Sequence, residues 1–196
     1  LIDTAELICG PIVSVSGAAM TTSIKERPVA AGHVTRGTAL GDGDCADATY
    51  EPVENDDVAT FTAQFANGAV GTFSCSRVAW GLPNSLMVDV LGTRGRASWD
   101  MARCGEIKID DVNSPAGLGG ARRVLVGPDF PYFARGSSMA FVQQVVGLTP
   151  EQGALPPCAT FADGYREMLL ADAVARSAAA GGTAVDVADL PELASL

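Results

Sequence analysis

The sequence is short of basic residues and of histidine. Its 196 residues include 13 lysines and arginines against 23 aspartates and glutamates, and the single histidine is His33, which gives a net charge of −10. Nucleic-acid binding depends on clustered basic side chains that neutralise phosphates. The only adjacent basic pair is Arg122-Arg123. We therefore expect neither a nucleic acid nor an anionic membrane as a partner.

The chain also lacks the patterns of a disulfide framework or a metal site. Its five cysteines are spread singly, and an odd number without paired spacing fits neither paired disulfides nor a zinc knuckle. The acidic segment that starts at Asp42 begins like a calcium loop, but Asp47 stands where the loop needs glycine and Val53 where it needs glutamate. We expect reduced thiols, a cytoplasmic location and no metal site.

Three further signatures are missing. No apolar run approaches the ~20 residues of a membrane helix, and no Gly-x-Ser-x-Gly elbow indicates a hydrolase. A dinucleotide-binding fingerprint needs spaced glycines between a strand and a helix. Residues 41–47 and 117–122 approach that spacing without completing it, and both are predicted to be loops.

The most informative pattern that is present lies in residues 54–100, where short alternating apolar runs are separated by turn residues. Asn67-Gly68 stands between the first two runs. Because Asn-Gly accepts a positive φ at both central positions, it predicts a two-residue hairpin turn. The whole pattern predicts a four-stranded antiparallel meander. Its predicted strands are residues 58–65, 70–78, 85–91 and 97–100.

Other periodicities place helices around this sheet. The start of the chain is predicted to be a helix that Gly10-Pro11 ends. Thr160 and Asp163 form a capping-box pair for a last helix, which would carry Phe161, Tyr165, Met168 and Leu169 on one stripe. Further predicted elements are a helix at 137–146, strands at 12–22, 106–109, 122–126 and 185–187, and a long loop at 25–53. This order predicts an α+β fold, an open, largely antiparallel sheet with helices on one face.

Several segments, in this order, carry a resemblance to one family. Residues 1–17 match a helix-Gly-Pro-strand entry, residues 56–95 match DD-x-A, F-x-N-G-A-x-G and G-x-x-G, and residues 160–187 match F-x-D-G and A-x-x-x-S-x-x-x-G. The chain resembles the C-terminal, substrate-side domain of the glucose-fructose oxidoreductase, inositol dehydrogenase and MocA (Gfo/Idh/MocA) family. Residues 25–28 and 122–132 resemble a branch that acts on sugars and inositols.

The resemblance implies a role for the whole of residues 1–196 as a substrate-binding and oligomerisation domain. It implies an NAD(P)-dependent dehydrogenase that acts on a sugar, inositol or related polyol, with NAD or NADP bound by an N-terminal domain that this chain lacks. The acidic balance also suits a neutral polyol better than a polyphosphate. The open sheet face would join subunits into a homodimer or homotetramer, although its aromatic residues, Phe61, Phe65 and Phe73, could all face the helices instead.

Four residues are candidates for substrate contact. Asp3 matches the aspartate of the family's His-x-x-Asp motif, so the acid/base histidine would precede Leu1, and the chain alone is expected to hold no catalytic residue and to be inactive. Arg77, at a strand end, could fork two hydroxyls or a carboxylate. His33 in the long loop and Tyr132, after Phe130-Pro131 where the branch often has His-Pro, could bind a sugar. The ordinary interpretations remain open: a helix-terminal carboxylate for Asp3 and solvated side chains for Arg77 and His33.

Two other features are given no role in the site. Asp56 and Asp57 form a carboxylate pair, but carboxylates at a strand entry are more often turn formers. Glu26-Arg27-Pro28 imitates a lysine motif that belongs to the family's other domain. A non-catalytic binding or assembly module with the same fold is the alternative function, because a fold alone does not establish an activity.

Overall fold

The computed structural model of the protein describes residues 1–28, 49–82, 84–112, 122–125, 137–155 and 158–189. The chain forms two compact units. Unit 1 is composed of Leu1–Ile8 and Trp80–Glu167, and unit 2 is composed of Cys9–Ala79 and Met168–Leu196. Each unit contains a four-stranded antiparallel sheet, and the predicted α+β fold with open antiparallel sheets is confirmed.

The sheet of unit 2 has the strand order β10-β1-β4-β5, and a separate two-stranded ladder joins β2 to β3. The strands of this unit are β1 (Ile12–Thr21), β2 (Glu26–Pro28), β3 (Tyr50–Pro52), β4 (Val58–Phe65), β5 (Val70–Ser76) and β10 (Val185–Asp186). The pair β2 and β3 lies inside the segment predicted to be a loop. That prediction was wrong at these two ends, because three-residue strands are too short to show an alternating pattern.

The sheet of unit 1 has the strand order β6-β7-β8-β9. Its strands are β6 (Met87–Gly92), β7 (Gly95–Asp100), β8 (Glu106–Asp111) and β9 (Arg122–Leu125). Helix α1 (Ile2–Cys9) and helix α2 (Ser137–Val145) also belong to this unit, apart from the last residue of α1. Helix α3 (Phe161–Ala179) begins in unit 1 and continues in unit 2.

The four strands of the predicted meander are therefore divided between two sheets. β4 pairs with β5 over Val58–Ser76 in one sheet, whereas β6 pairs with β7 in the other. The expectation of one continuous meander was wrong in this respect. Alternation of apolar residues identifies each strand but not its neighbours, and the first hairpin takes β1 as its other partner.

The core of unit 2 lies on one face of its sheet. Phe61 and Phe73 are directly opposite in the β4–β5 ladder, and their rings stack with centroids 4.6 Å apart. Buried side chains on the same core are Ile12, Val15, Ala18, Ala63, Phe65, Leu170, Ala173 and Val174. The opposite face carries hydroxyl and amide side chains, including Thr60, Thr62, Gln64, Thr72 and Ser74. The aromatic residues thus all point to the buried face, which was the second of the two interpretations left open.

Helix α3 starts as predicted but buries a different face. The Thr160 amide and hydroxyl both donate to Asp163 Oδ2 at 2.7 Å, and the Asp163 amide donates back to Thr160 Oγ1 at 3.4 Å. Three of the four residues of the predicted stripe are exposed, since Phe161 is 100%, Met168 66% and Tyr165 36% accessible, and Leu169 is half-buried. The buried stripe is Leu170, Ala173, Val174 and Ser177. Small residues make close packing against β1 possible there, and the Ala18 amide donates to Ser177 Oγ at 3.4 Å.

The turn between β4 and β5 has three residues in place of the predicted two. The Phe65 amide donates to the Ala69 carbonyl at 2.9 Å, so the loop consists of Ala66, Asn67 and Gly68. Only Gly68 has a positive φ, +87°, which is the pattern of a type I turn followed by a left-handed residue. Asn67 instead uses its side chain. Its amide nitrogen donates to the Cys9 carbonyl at 2.9 Å and its oxygen accepts from the Ala69 amide at 3.0 Å.

Two glycines meet where β1 passes the end of α3. In the β1–β4 ladder the register shifts by one residue between Ser16 and Ala19, which marks a β-bulge at Gly17 with φ +61°. The Gly17 amide donates to the Gly182 carbonyl at 2.8 Å. A Cβ atom on Gly182 would lie 3.3 Å from Gly17 Cα, and φ is +89° at Gly182. Both positions therefore favour glycine strongly.

Candidate functional site

A buried carboxylate, Asp57, organises the polar end of the sheet in unit 2. Its side chain has no exposed surface, and it is one of only two buried polar or charged residues among those that the structure describes. Oδ2 accepts the amides of Ser23 and Ile24, both at 2.7 Å. The backbone of Asp57 continues the sheet, because its amide donates to Thr21 at 2.7 Å and its carbonyl accepts from the Arg77 amide at 2.9 Å.

The other carboxylate oxygen, Oδ1, faces two arginines. Arg27 Nη2 lies 3.5 Å away and Arg77 Nε lies 3.6 Å away, and each arginine side chain is 42% exposed. Arg27 belongs to β2, and Arg77 directly follows β5. Both strands end near the start of β4, where Asp57 stands, so the fold brings together residues that are distant in sequence.

The environment of Asp57 favours its ionised form. The amide of Ile24 is the largest influence, burial acts against it, and the amide of Ser23 and the charges of Arg77 and Arg27 add to the lowering. Together they hold the pKa of the Asp57 carboxyl below its ordinary value of 3.8. The carboxylate is therefore charged at any pH near neutrality, and its arginine partners face a permanent anion.

Two atoms of this group, Arg27 Nε and Asp57 Oδ1, are buried and make no hydrogen bond to any described residue. The two arginine contacts are longer than the ~2.7–2.9 Å of a charge-assisted hydrogen bond. The arginines are thus attracted by the carboxylate without being saturated by it. Guanidinium groups held in this way can donate to hydroxyl or carboxylate oxygens of a ligand.

A second carboxylate, Glu6, lies in unit 1 on helix α1. Arg166 of α3 grips it with two nitrogens, because Nε lies 3.0 and 2.9 Å from the two Glu6 oxygens and Nη2 lies 2.7 Å from Oε1. Glu6 is 15% exposed and Arg166 36% exposed. Asp3 is one turn before Glu6 on the same helix and is exposed. The Glu6–Arg166 pair therefore fixes the helix that presents Asp3.

The structure treats the four predicted substrate residues differently. Arg77 is brought together with Asp57 and Arg27, and Asp3 is an exposed carboxylate in the first turn of α1. His33 and Tyr132 lie outside the described residues. Arg27 and Asp57 were assigned no role on sequence grounds, and the structure places both of them beside Arg77. The ion pair between Arg27 of β2 and Asp57 at the start of β4 joins residues that are distant in sequence, so no local pattern indicates it.

The described residues do not fit a dinucleotide. A nucleotide cradle of the doubly wound type needs a glycine-rich turn between a strand and a helix within a parallel sheet. All ladders among the described residues are antiparallel. In the same part of the chain, no group of three or more histidine, cysteine, aspartate or glutamate side chains could hold a metal ion. The described helices also include none long and apolar enough to cross a membrane.

An open groove of about 590 Å³ in unit 2 is a poorer candidate site. It runs between β1 and the second half of α3. Its lining is Ala18, Ala19, Met20, Ala175, Ala178, Ala179 and Gly181. No charged side chain lines the groove, so it offers nothing to orient a polar substrate, and the arginine group around Asp57 is the better candidate.

Comparison with known proteins identifies the family of this chain. A model described as the GFO/IDH/MocA C-terminal domain matches residues 1–98. Levoglucosan dehydrogenase of Pseudarthrobacter phenanthrenivorans is 30% identical over 191 residues, which cover 91% of this chain and 47% of that protein. The chain belongs to the Gfo/Idh/MocA family. It spans about half the length of the curated relative that it matches.

Solved structures of family members agree with the fold. A levoglucosan dehydrogenase in complex with NADH and levoglucosan superposes with a TM-score of 0.73 at 26% identity, over 98% of this chain and 48% of that chain. An oxidoreductase domain protein from Kribbella flavida gives a TM-score of 0.72 at 25% identity, over 97% of this chain and 49% of that chain. The described part of this Gfo/Idh/MocA chain thus has the fold of the half of each relative that it covers.

Proposed function

We propose that this chain is the substrate-side domain of an NAD(P)-dependent oxidoreductase that acts on a CH–OH group of a sugar, inositol or related polyol. The similarity to levoglucosan dehydrogenase over 91% of the chain carries the proposal. Residues 1–196 would form the substrate-binding and oligomerisation domain. NAD or NADP would be bound by a nucleotide-binding domain outside this sequence, so the chain by itself would not turn over substrate.

This proposal includes two described residues, one in each unit, as separate candidate substrate contacts. Asp3 presents an exposed carboxylate from α1, which can accept a substrate hydroxyl proton in a hydrogen bond. Arg77 presents a half-exposed guanidinium that Asp57 restrains, which can donate to two neighbouring hydroxyls. His33 and Tyr132 are proposed as further sugar contacts on the family resemblance alone.

The experiment that tests the proposal is a turnover assay of the whole protein that carries this chain. Levoglucosan, glucose and myo-inositol are offered with NAD and with NADP, and formation of the reduced nicotinamide is followed by absorbance. We expect turnover of at least one of these polyols. Absence of turnover with every polyol and both cofactors would leave the non-catalytic binding module as the function of the chain.

Asp3 offers a sharper version of this test. Because its side chain is exposed, D3N should leave the unfolding temperature unchanged while lowering kcat/KM roughly 10–100-fold, the effect of losing one hydrogen bond to a charged group. D172N is the matched control, since Asp172 is an exposed carboxylate on α3. Equal activity of D3N and D172N would remove Asp3 from the site.

Assembly into a homodimer or homotetramer through the open sheet face of unit 2 is part of the proposal. That face carries Thr62 and Thr72 directly opposite one another. T62R places a charge at its centre without touching the buried face, and it should reduce the mass measured by light scattering to that of a monomer. A T62R protein with the wild-type mass would exclude this face as the interface.

A cytoplasmic location also remains a proposal. It is supported by the four cysteines of the described residues, none of which forms a disulfide with another described cysteine: Cys9, Cys75, Cys104 and Cys158. Free thiols are the usual state of cysteine in a reducing compartment. Fractionation of the source cells, with immunodetection of the protein, tests the location directly.

A further inference from the structure

The arginines around Asp57 carry more positive charge than the carboxylate can balance. Arg27 and Arg77 contribute two cations to one anion, so the group is left with one net positive charge in a protein whose net charge is −10. Both arginine side chains are partly exposed, 42% each. A local cation pair of this kind attracts an anion in spite of the overall charge, because close charges dominate over distant screened ones.

The hydrogen-bond inventory at Asp57 explains why the arginines remain available. Oδ2 is satisfied by the amides of Ser23 and Ile24 at 2.7 Å, so the arginines are not needed to solvate that oxygen. Arg27 Nη2 lies 3.5 Å and Arg77 Nε 3.6 Å from Oδ1, and Oδ1 accepts no hydrogen bond from the described residues. A guanidinium has five N–H donors in a planar fork. Within the described part of the chain, most donors of both arginines therefore remain for another acceptor, and buried Arg27 Nε makes no hydrogen bond there.

We propose that Arg27 and Arg77 form a two-armed subsite for a small oxyanion, the carboxylate or phosphate ester of a sugar derivative. Asp57 is the positioning residue that holds the two like charges side by side. Carboxylate and phosphate oxygens match the guanidinium fork, which accepts them in pairs. A neutral sugar would gain less from the same two arms, because its hydroxyls carry no charge.

One nearby carboxylate opposes this subsite. Glu51 is directly opposite Arg27 in the β2–β3 ladder and is exposed. Among the described residues, the ion pair of Arg27 is with Asp57 and not with Glu51. Glu51 thus lowers the local positive potential without occupying the arginine. Neutralising Glu51 should strengthen oxyanion binding, so the subsite can also be tested by a substitution that is expected to increase affinity.

This inference rests on the proposed function, in which Arg77 is a substrate-side residue, but binding can be measured without turnover. The full chain is titrated with glucuronate, glucose 6-phosphate and glucose, and binding is followed by calorimetry and by NMR shifts of the arginine Nε–H signals. We expect one or both anions to bind at least about tenfold more tightly than glucose, the increment of a paired charge-assisted contact. Preference for glucuronate identifies a carboxylate ligand, and preference for glucose 6-phosphate identifies a phosphate ester.

Variants assign the binding to the two arginines. R77M and R27M should each weaken binding of the anion by about tenfold and weaken binding of glucose by less, and E51Q should tighten binding of the anion. R77K keeps the charge but loses the fork, so its affinity should fall between wild type and R77M. Circular dichroism of each variant confirms that it is folded.

Equal binding of glucose and both anions, or anion affinity unchanged in both R27M and R77M, would overturn the subsite. Turnover of a neutral polyol by the whole protein together with such a result would refute the subsite and leave the proposed function standing. Oxyanion binding by the chain, together with no turnover of any polyol by the whole protein, would support the subsite and refute the dehydrogenase.

Discussion

Asp57 in unit 2 and Glu6 in unit 1 are both carboxylates accompanied by arginine, and they differ in what satisfies their oxygens. Asp57 obtains two short hydrogen bonds from backbone amides, and its two arginines stay 3.5 and 3.6 Å away. Glu6 obtains its short contacts, 2.7 to 3.0 Å, from the fork of Arg166 itself. The first arrangement leaves guanidinium donors for a ligand. The second uses the arginine to join α1 to α3.

The difference teaches how to separate a binding arginine from a structural one. Removing a structural arginine should lower stability, because its carboxylate partner loses its main hydrogen bonds. Removing a binding arginine should lower the affinity for the ligand, because the ligand loses guanidinium donors. It should change stability little, because the backbone amides still satisfy the carboxylate. Exposure alone does not distinguish the two, since Arg166 is 36% exposed and Arg77 42% exposed.

The largest loss of stability is expected from D57N. The substitution keeps the shape of the side chain but replaces a charged acceptor of two amides by a neutral one, and it leaves two arginines unpaired. We expect a fall in Tm of roughly 5–10 °C, measured by calorimetry. D56N is the neighbouring control and should change Tm little, because Asp56 makes no such contacts among the described residues. A D57N protein as stable as D56N would mean that Asp57 is not an anchor.

The next largest effect is expected from R166M. It removes the bidentate partner of Glu6 and leaves a partly buried carboxylate without its main donor, which should cost about 2 kcal/mol of unfolding free energy in urea denaturation. R166K retains the charge and should recover about half of this loss. If R166K and R166M are equally stable, or both match wild type, the Glu6–Arg166 pair does not hold α1.

A third, smaller effect concerns pH. Since the pKa of Asp57 is lowered in the folded protein, its charge contributes stability that is fully present above the unfolded value of 3.8 and is lost as the pH falls through the folded value. The difference in Tm between wild type and D57N should therefore be constant from pH 7 to about pH 5 and narrow below pH 4. A difference that stays constant down to pH 2 would show that the Asp57 charge is not what stabilises the site.

The smallest change in stability is expected from R77M. Because Oδ2 keeps its amides and Oδ1 keeps Arg27, Tm should change by no more than about 2 °C. R77M should also lose turnover of the proposed polyol substrate. R166M should lower this turnover chiefly because it lowers the stability of the protein. Should R77M prove as destabilising as R166M, the distinction between the two kinds of arginine would fail.

Local patterns of the sequence predicted the elements well. The bounds of β4 at Val58–Phe65 follow from strict alternation, and the start of α3 follows from the Thr160–Asp163 capping pair. Both signals depend on residues that lie within a few positions of each other. The hairpin was correctly placed for the same reason, although Asn67 forms hydrogen bonds with its side chain instead of taking a positive φ.

Choices that depend on distant residues could not be predicted. The exposed stripe of α3 is more apolar than the buried one, so hydrophobicity alone selects the wrong face, and small residues such as Ala173 and Ser177 are buried because they allow close packing. The site at Asp57 shows the same limit. Its amide donors, Ser23 and Ile24, are 34 and 33 residues away in sequence, so an aspartate at a strand entry resembled an ordinary turn former.

The crossing of Gly17 and Gly182 constrains how this chain can change over evolutionary time. A Cβ atom on Gly182 would lie 3.3 Å from Gly17 Cα, and both glycines have a positive φ, +61° at Gly17 and +89° at Gly182, which other residues adopt only with strain. No single-step replacement at one site relieves the requirement at the other. Lineages that descend from this sequence should therefore keep both glycines or lose them together with the bulge in β1, so the two positions form one inherited character.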